Sequence, residues 1–274
     1  MVKILLILLI LLIFPSLLFS QSSNARYKSE LGFMVGGSYY IGDLNQFKHF
    51  YNTKTAAGLI YRYNAHSRLS IRGNVSYGNV EAADKDAKKD IFVNRNLSFQ
   101  SRIIEVAGGV EFNYFPFQLG HNRYKGTAYI LAEIGLFQMK PMTELNGDLI
   151  ELQSLGTEGQ GSSLSSKGQY GLTQLTVPLG FGFKVALGSK ASFNIEYGIR
   201  KTFTDYLDDV GSDSYLDLED LAAENGPLAA QLSNRSLDGS RYGKRGTSAT
   251  KDWYAFFGAS LAFRLGKAGA CNQP

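Results

Sequence analysis

The chain of 274 residues has one cysteine, six prolines and three histidines. After about residue 20 it also lacks any long apolar run. Each scarcity excludes something. The single thiol, Cys271, cannot close an internal disulfide, and in an exported chain it is either free or bonded to another protein. No later segment approaches the ~20 apolar residues that a spanning helix needs, so a helical multi-pass topology is excluded. With Lys and Arg at 28 against Asp and Glu at 24, there is no charge excess of the kind nucleic acid binding requires. The histidines, His49, His66 and His121, fall in loops or turns, and none ends a strand beside a plausible nucleophile. A lipid hydrolase would need that pairing, so the expectation is a protein without enzymatic activity, catalytic residues or cofactor.

What is present begins with a leader. Lys3, an unbroken apolar run from residue 4 to 14, Pro15 and the small Ser16 make residues 1–20 read as a secretory signal, with the mature start at about Gln21. The apolar run is too short for an anchor. Glycine (30), tyrosine (16) and phenylalanine (18) are plentiful, a composition shared by barrels and secreted sandwiches.

Residues 191–210 set the pattern. Phe193, Ile195, Tyr197 and Ile199 fall on one face, and Asn194, Glu196, Gly198 and Arg200 on the other, the period of a two-faced strand. Seven further segments repeat it, at 30–41, 55–64, 69–80, 99–115, 126–138, 172–186 and 253–265. In the first, Leu31, Phe33, Val35, Tyr39 and Ile41 share the apolar face. Pro178 is awkward inside the sixth strand, because a closed barrel has no edge to hide a missing N–H, so a bulge is expected there. Connections alternate long, short, long, with long ones at 45–54, 81–96, 140–171 and 204–252. That alternation decides for an all-β, eight-stranded antiparallel transmembrane barrel over residues 21–265, with short periplasmic turns and long extracellular loops. Residues 266–274 form a periplasmic tail carrying Cys271, so both mature termini face the periplasm.

Eight strands enclose an interior only wide enough for side chains. The inward set holds Arg62, Arg72, Lys184 and Arg200 with Glu105, Glu111, Glu133 and Glu196, which must pair. A filled, salt-bridged core that replaces a hydrophobic one is favoured over an ion or proton path. The longest loop opens with Asp205, Asp208, Asp209 and Asp213. Their spacing lacks a calcium-loop pattern, so capped turns are expected and no metal is assigned. Residues 215–232 read as two short helical pieces broken at Gly226-Pro227. Their leucines, Leu216, Leu218, Leu221, Leu228 and Leu232, form either a lid over the mouth or a partner site.

Two stretches carry a family resemblance. One is Leu31-Gly32, Gly36-Gly37 and Tyr39-Tyr40-Ile41-Gly42-Asp43-Leu44. The other is Thr204-Asp205-Tyr206-Leu207-Asp208-Asp209-Val210 after the seventh strand. Together they make the chain resemble the PorG-like outer-membrane barrels of the type IX secretion system, with Gly42, Asp43, Asp205, Tyr206, Asp208 and Asp209 as the motif positions. The resemblance implies a non-enzymatic outer-membrane component, surrounded by lipid, that anchors or organises a periplasmic ring made of a lipoprotein and its partner in protein export and gliding motility. Under it, Cys271 on the periplasmic side becomes a candidate for an intermolecular disulfide. The alternative is a stand-alone small barrel of the porin or lipid- or ligand-binding kind.

Overall fold

Alternating faces commit each segment to a strand, and antiparallel pairing then gives every strand two partners. The computed structural model describes residues 29–241 and 243–266. The expected signal at 1–20 and Cys271 lie outside the described residues. The strands are β1 (Ser29–Ile41), β2 (Lys54–His66), β3 (Leu69–Ala83), β4 (Ser98–Asn113), β5 (Gly126–Leu145), a short β6 (Asp148–Glu151), β7 (Thr173–Leu187), β8 (Ala191–Thr202) and β9 (Trp253–Leu265). All but β6 are staves of one closed antiparallel barrel. The chain of neighbours runs from β1 through β4, on to β5 and β7, and β9 returns to β1 along the whole length from Ser29↔Leu265 to Ile41↔Trp253. Closure leaves the staves no free edge.

A one-residue slip would turn every apolar side chain inward, so the pattern itself pins the register. The outer wall carries Val35 (64 % exposed), Val106 (57 %), Ile134 (67 %) and Phe181 (61 %), with comparable residues on the other strands. Such a continuous apolar girdle far exceeds the patches that soluble monomers expose. Tyr39 belongs to this outer face, as expected, yet is fully buried. The loop 42–53 folds back over it. The Phe50 ring lies 5.2 Å from that of Tyr39 and 5.0 Å from that of Phe257, and the Tyr39 hydroxyl contacts Tyr197 Oη (2.7 Å) and His49 Nδ1 (2.9 Å).

Three expectations about the strands need correction. The third strand runs three residues further, to Ala83. The fifth runs seven further, to Leu145, and turns into β6, where a polar loop was expected from residue 140. The polar, Gly- and Ser-rich composition of 140–171 made that stretch read as loop, yet Pro141 lies within the strand. Lys140 N donates to Ser101 Oγ on β4, so the nitrogen of Pro141 faces the opposite edge. There the ladder with β7 has ended at Gln138↔Thr173 and that with β6 begins only at Met142↔Glu151, so no bond is lost. The bulge expected at Pro178 is absent. Its pairing with β8 is unbroken at Pro178↔Arg200, and the ladder with β5 simply lapses between Ala132↔Leu179 and Gly135↔Thr176 before resuming in the same register.

The interior is filled in two layers. Towards the short-turn end, Glu111 Oε2 accepts from Arg62 Nε at 2.7 Å and Arg72 Nη1 at 3.3 Å, while its other oxygen accepts from Lys184 Nζ at 2.5 Å. Arg72 also forks onto Glu196 at 2.6 and 2.9 Å and reaches Glu133 at 2.8 Å. Arg200 pairs with Glu105 at 3.3 Å, and Tyr129 and Tyr254 donate to Glu196 and Glu105 at 2.7 Å each. All eight inward charges named from the sequence are in this lattice. Gly182 makes room for it, since a Cβ there would lie 2.5 Å from the phenol of Tyr129. Glu30, which receives the amide of Asn64 at 2.7 Å, is a fifth buried carboxylate that the sequence reading missed.

The lattice does not replace a hydrophobic core, as expected, but lies below one. Ile103, Phe137, Met139, Tyr254 and Phe256 point inward above the Glu111 cluster, at the level of the Arg200–Glu105 pair, which stands opposite Tyr254 and Phe137, and merge with loop residues Leu207, Val210 and Leu232. The opposite end is closed as well. The connection 114–125, as long as the loop 42–53, folds under the barrel and buries Phe117 and Leu119, with Lys184 Nζ 4.9 Å from the Phe117 ring.

Candidate functional site

The four long connections do not hang free but fold together into a cap over the mouth. Helix α1 (Asp90–Arg95) ends in a left-handed Asn96, which turns the chain back into β4. Helices α2 (Leu218–Asn225) and α3 (Pro227–Ser233) meet at Gly226-Pro227, the expected break, with the Asp217 side chain capping α2. Leu221 and Leu232 are buried, so of the two roles open for the leucines this pair fills that of the lid.

Two buried arginines stitch the loops. Arg95 forks onto Asp84 with both contacts at 2.7 Å and donates to the carbonyls of Asp43 (3.2 Å) and Arg245 (2.5 Å). Arg245 pairs with Glu158 and donates to the carbonyls of Asp209 (3.0 Å) and Ser233 (3.3 Å). Glu158 in turn accepts from the N–H groups of Gly211 and Ser212, both at 3.0 Å. Every long connection therefore holds at least one end of a buried ion pair or charge-assisted bond. Asp84 shares the loop of Arg95, but the carbonyls that Arg95 ties to it and the carboxylate of Arg245 lie on other loops, so their stitching role has no local sequence signal.

The resemblance positions do assemble here. Tyr40 Oη lies 2.5 Å from Asp208 Oδ2 and 2.8 Å from Asp252 Oδ1. A Cβ on Gly42 would sit 2.0 Å from that hydroxyl and 2.1 Å from Asp252, so only glycine lets the three groups meet. Asp43 accepts from Thr247 N at 3.0 Å, Asp205 pairs with Lys251 at 3.3 Å, and Asp209 accepts from Thr157 (2.5 Å) and Tyr170 (2.6 Å). Tyr206 stacks on Tyr170 with ring centroids 4.7 Å apart. Asp213 lies apart from these, accepting from Ser248 Oγ at 2.6 Å. The aspartates thus face separate donors, and among the described residues no group of three or more His, Cys, Asp and Glu side chains is placed to hold a metal.

Burial sets the electrostatics. Removal from water pushes Asp208 and Asp252 well above the usual carboxylate range, reinforced for Asp208 by the charges of Asp252 and Asp43 and for Asp252 by those of Asp205 and Asp43. Tyr40 has one proton for two carboxylates, so the second short contact is favourable only while one carboxyl is protonated. Burial also lifts Asp205 and Asp209 to about 6, against the lowering effects of Lys251 and Arg245. A carboxyl raised in this way holds a proton in the folded cap that the unfolded chain releases. Its stabilisation is complete below the unfolded value of 3.8 and is lost as pH rises through the folded value. For Asp205 and Asp209 that loss is complete a little above 6, and for the Asp208–Asp252 pair it comes at higher pH.

Beside the cap, between the loops 42–53 and 84–97, lies a cleft of about 360 Å³. Phe47, Tyr51 and Phe92 give it apolar walls and Lys48, Lys88 and Lys89 line it with cations. Phe47 is 85 % exposed. The histidines have structural surroundings: Tyr39 for His49, the N–H of Arg68 for His66, and the N–H of Arg123 and the ring of Tyr124 for His121.

Residues 3–223 match the model of a family described as a domain of unknown function, DUF6089. No curated protein sequence matches the chain. Among solved structures, Neisserial surface protein A is 8 % identical with a TM-score of 0.42, the match covering 86 % of this chain and 97 % of that one. Ail, the attachment invasion locus protein of Yersinia pestis, is 10 % identical at a TM-score of 0.41, covering 87 % and 99 %. OprG of Pseudomonas aeruginosa is 11 % identical at 0.41, covering 87 % and 98 %.

Proposed function

The chain belongs to the DUF6089 family, and we propose that it is a non-enzymatic outer-membrane barrel serving a PorG-like role in type IX secretion and gliding. In this reading it anchors a periplasmic ring lipoprotein and its partner. The apolar girdle supports a lipid surrounding, in which a closed sheet satisfies its own backbone. Among the described residues, the ion lattice, the apolar layer, the cap above and Phe117 below fill the lumen, which argues against a porin. The motif residues hold the cap together, so contact with the ring falls to the opposite end.

One observation there carries the reading. Arg68, Arg123, Lys125 and Lys190 are exposed at the short turns, Arg264 is half-buried beside them, and no carboxylate stands in 67–68, 114–125 or 188–190. A one-signed face of this kind recruits an acidic partner surface. The triple variant Arg123→Glu, Lys125→Glu, Lys190→Glu should lose roughly tenfold or more of a ring protein that co-isolates from gently solubilised outer membranes. Screening by about 0.5 M salt should weaken the native association in the same direction. Undiminished recovery with the triple variant would remove the assigned contact. Running the pull-down with and without reductant tests the proposed disulfide from Cys271, which should give a heavier, reductant-sensitive species.

A second reading, a stand-alone ligand-binding barrel, is favoured by the cleft between the first two loops. It gains ground if nothing from the periplasm co-isolates.

A further inference from the structure

The outer wall carries one row of side chains that neither the girdle nor the cap explains. Asn79 of β3, Arg102 of β4 and Lys140 of β5 face outward and stand directly opposite one another, as Asn79↔Arg102 and Arg102↔Lys140. Two cations facing each other across a ladder repel unless an anion lies between them. Lys140 has Glu151 of β6 as a partner, and nearby Lys54 has Glu81 at 2.8 Å. Arg102 is exposed, and among the described residues no carboxylate lies within ion-pair distance of it. The row opens into a recess of about 460 Å³ that Gln100, Met142 and the Lys54–Glu81 ion pair also line.

Its height on the wall points to the ligand. Outward apolar residues of β4 run from Phe112 to Ile104. Eight steps of ~3.4 Å, tilted by about 40°, cover about 20 Å, close to the apolar band of a small barrel. Arg102 is the next outward residue, at the level where headgroups begin. Directly beneath the row lie Tyr77, Ile104 and the polar Gln138, then Val75, Val106 and Leu136, so the track for an acyl chain runs on the β3 and β4 side. A guanidinium fork, an ammonium and the amides of Asn79 and Gln100 suit the several oxygens of a phosphate.

Resting on the outer-membrane reading above, we propose that Arg102 and Lys140, aided by Asn79 and Gln100, bind the phosphate of an outer-leaflet glycolipid against the barrel wall. The barrel, purified in mild detergent, is incubated with lipid A, with dephosphorylated lipid A, and with lipid A plus millimolar inorganic phosphate. Bound lipid per barrel is read by native mass spectrometry. The native chain should retain lipid A, and the double variant Arg102→Gln, Lys140→Gln should retain about tenfold less or lower still. Arg102→Lys, which keeps the charge but not the fork, should bind between the native chain and the double variant, the dephosphorylated lipid should bind no better than to the double variant, and inorganic phosphate should not displace the lipid. Folding of each variant is checked by its heat-modifiable mobility in detergent gels. A folded double variant that retains lipid A like the native chain overturns the site, as does displacement by free phosphate, which would make it a plain anion site. A native chain that fails to partition into liposomes overturns the membrane reading itself, a separate result.

Discussion

Glu111→Gln should destabilise the folded barrel by about 3–5 kcal/mol, read as a lower urea midpoint in detergent or liposomes. The substitution keeps the side chain's size, so the loss is electrostatic. Glu111 is fully buried and touches Arg62, Arg72 and Lys184 at once. Neutralising it leaves three desolvated cations sharing the remaining carboxylates. Removing one of the three should relieve part of the damage. In the Glu111→Gln background, Lys184→Met should therefore cost less than it does alone, a coupling of the kind that contacting charges show. Arg123→Gln, on an exposed turn, should shift the midpoint by less than about 0.5 kcal/mol.

Arg95→Met should leave the barrel strands intact and open the cap, at a cost of about 3–5 kcal/mol to the capped state. Asp84 is buried, and among the described residues its only ion pair is to Arg95. Without the guanidinium it stays buried and unpaired, and the carbonyls of Asp43 and Arg245 lose a charged donor. Limited proteolysis should cut within 84–97 and 203–252 many times faster, while the heat-modifiable band is unchanged. The same assay on the native chain reads the Tyr40–Asp208–Asp252 cluster. Because the folded carboxyls hold their protons more tightly than the unfolded chain does, cleavage of the cap should accelerate as pH rises from 5 to 8. Asp208→Asn, which cannot lose that proton, should flatten the rise above about pH 6 and leave the part below it that Asp205 and Asp209 contribute. A rate that falls with rising pH would reverse the assignment.

The wall was legible in the sequence because period-two alternation is local. Each strand declares its two faces on its own, and closure then requires only that inward charges find each other. Arg62, Arg72 and Glu111 could be paired as a class without knowing the register. The overlap of β5 with β6 was hidden by the polar, Gly- and Ser-rich composition of 140–171, and the missing N–H of Pro141 within it is harmless only because of where two neighbouring ladders stop and start. The upper apolar layer was hidden for a different reason. Phe137 and Phe256 face inward on strands that are apolar on both faces, so alternation there gives no contrast. The cap was least legible. Gly42 and the aspartates of 205–209 stood out only as a motif, and their meeting with Tyr40 and Asp252 depends on loops far apart in the chain. Arg95 and Arg245 carried no local mark at all. The one-signed character of the end opposite the cap emerges only when three separate turns are brought to one face.

The central claim is that this barrel is solid: charged below, apolar above, and closed at both ends. Planar-bilayer recording of the purified native chain tests it most directly. The expected trace shows insertion without conductance steps, and a steady ohmic conductance through the native chain would contradict it.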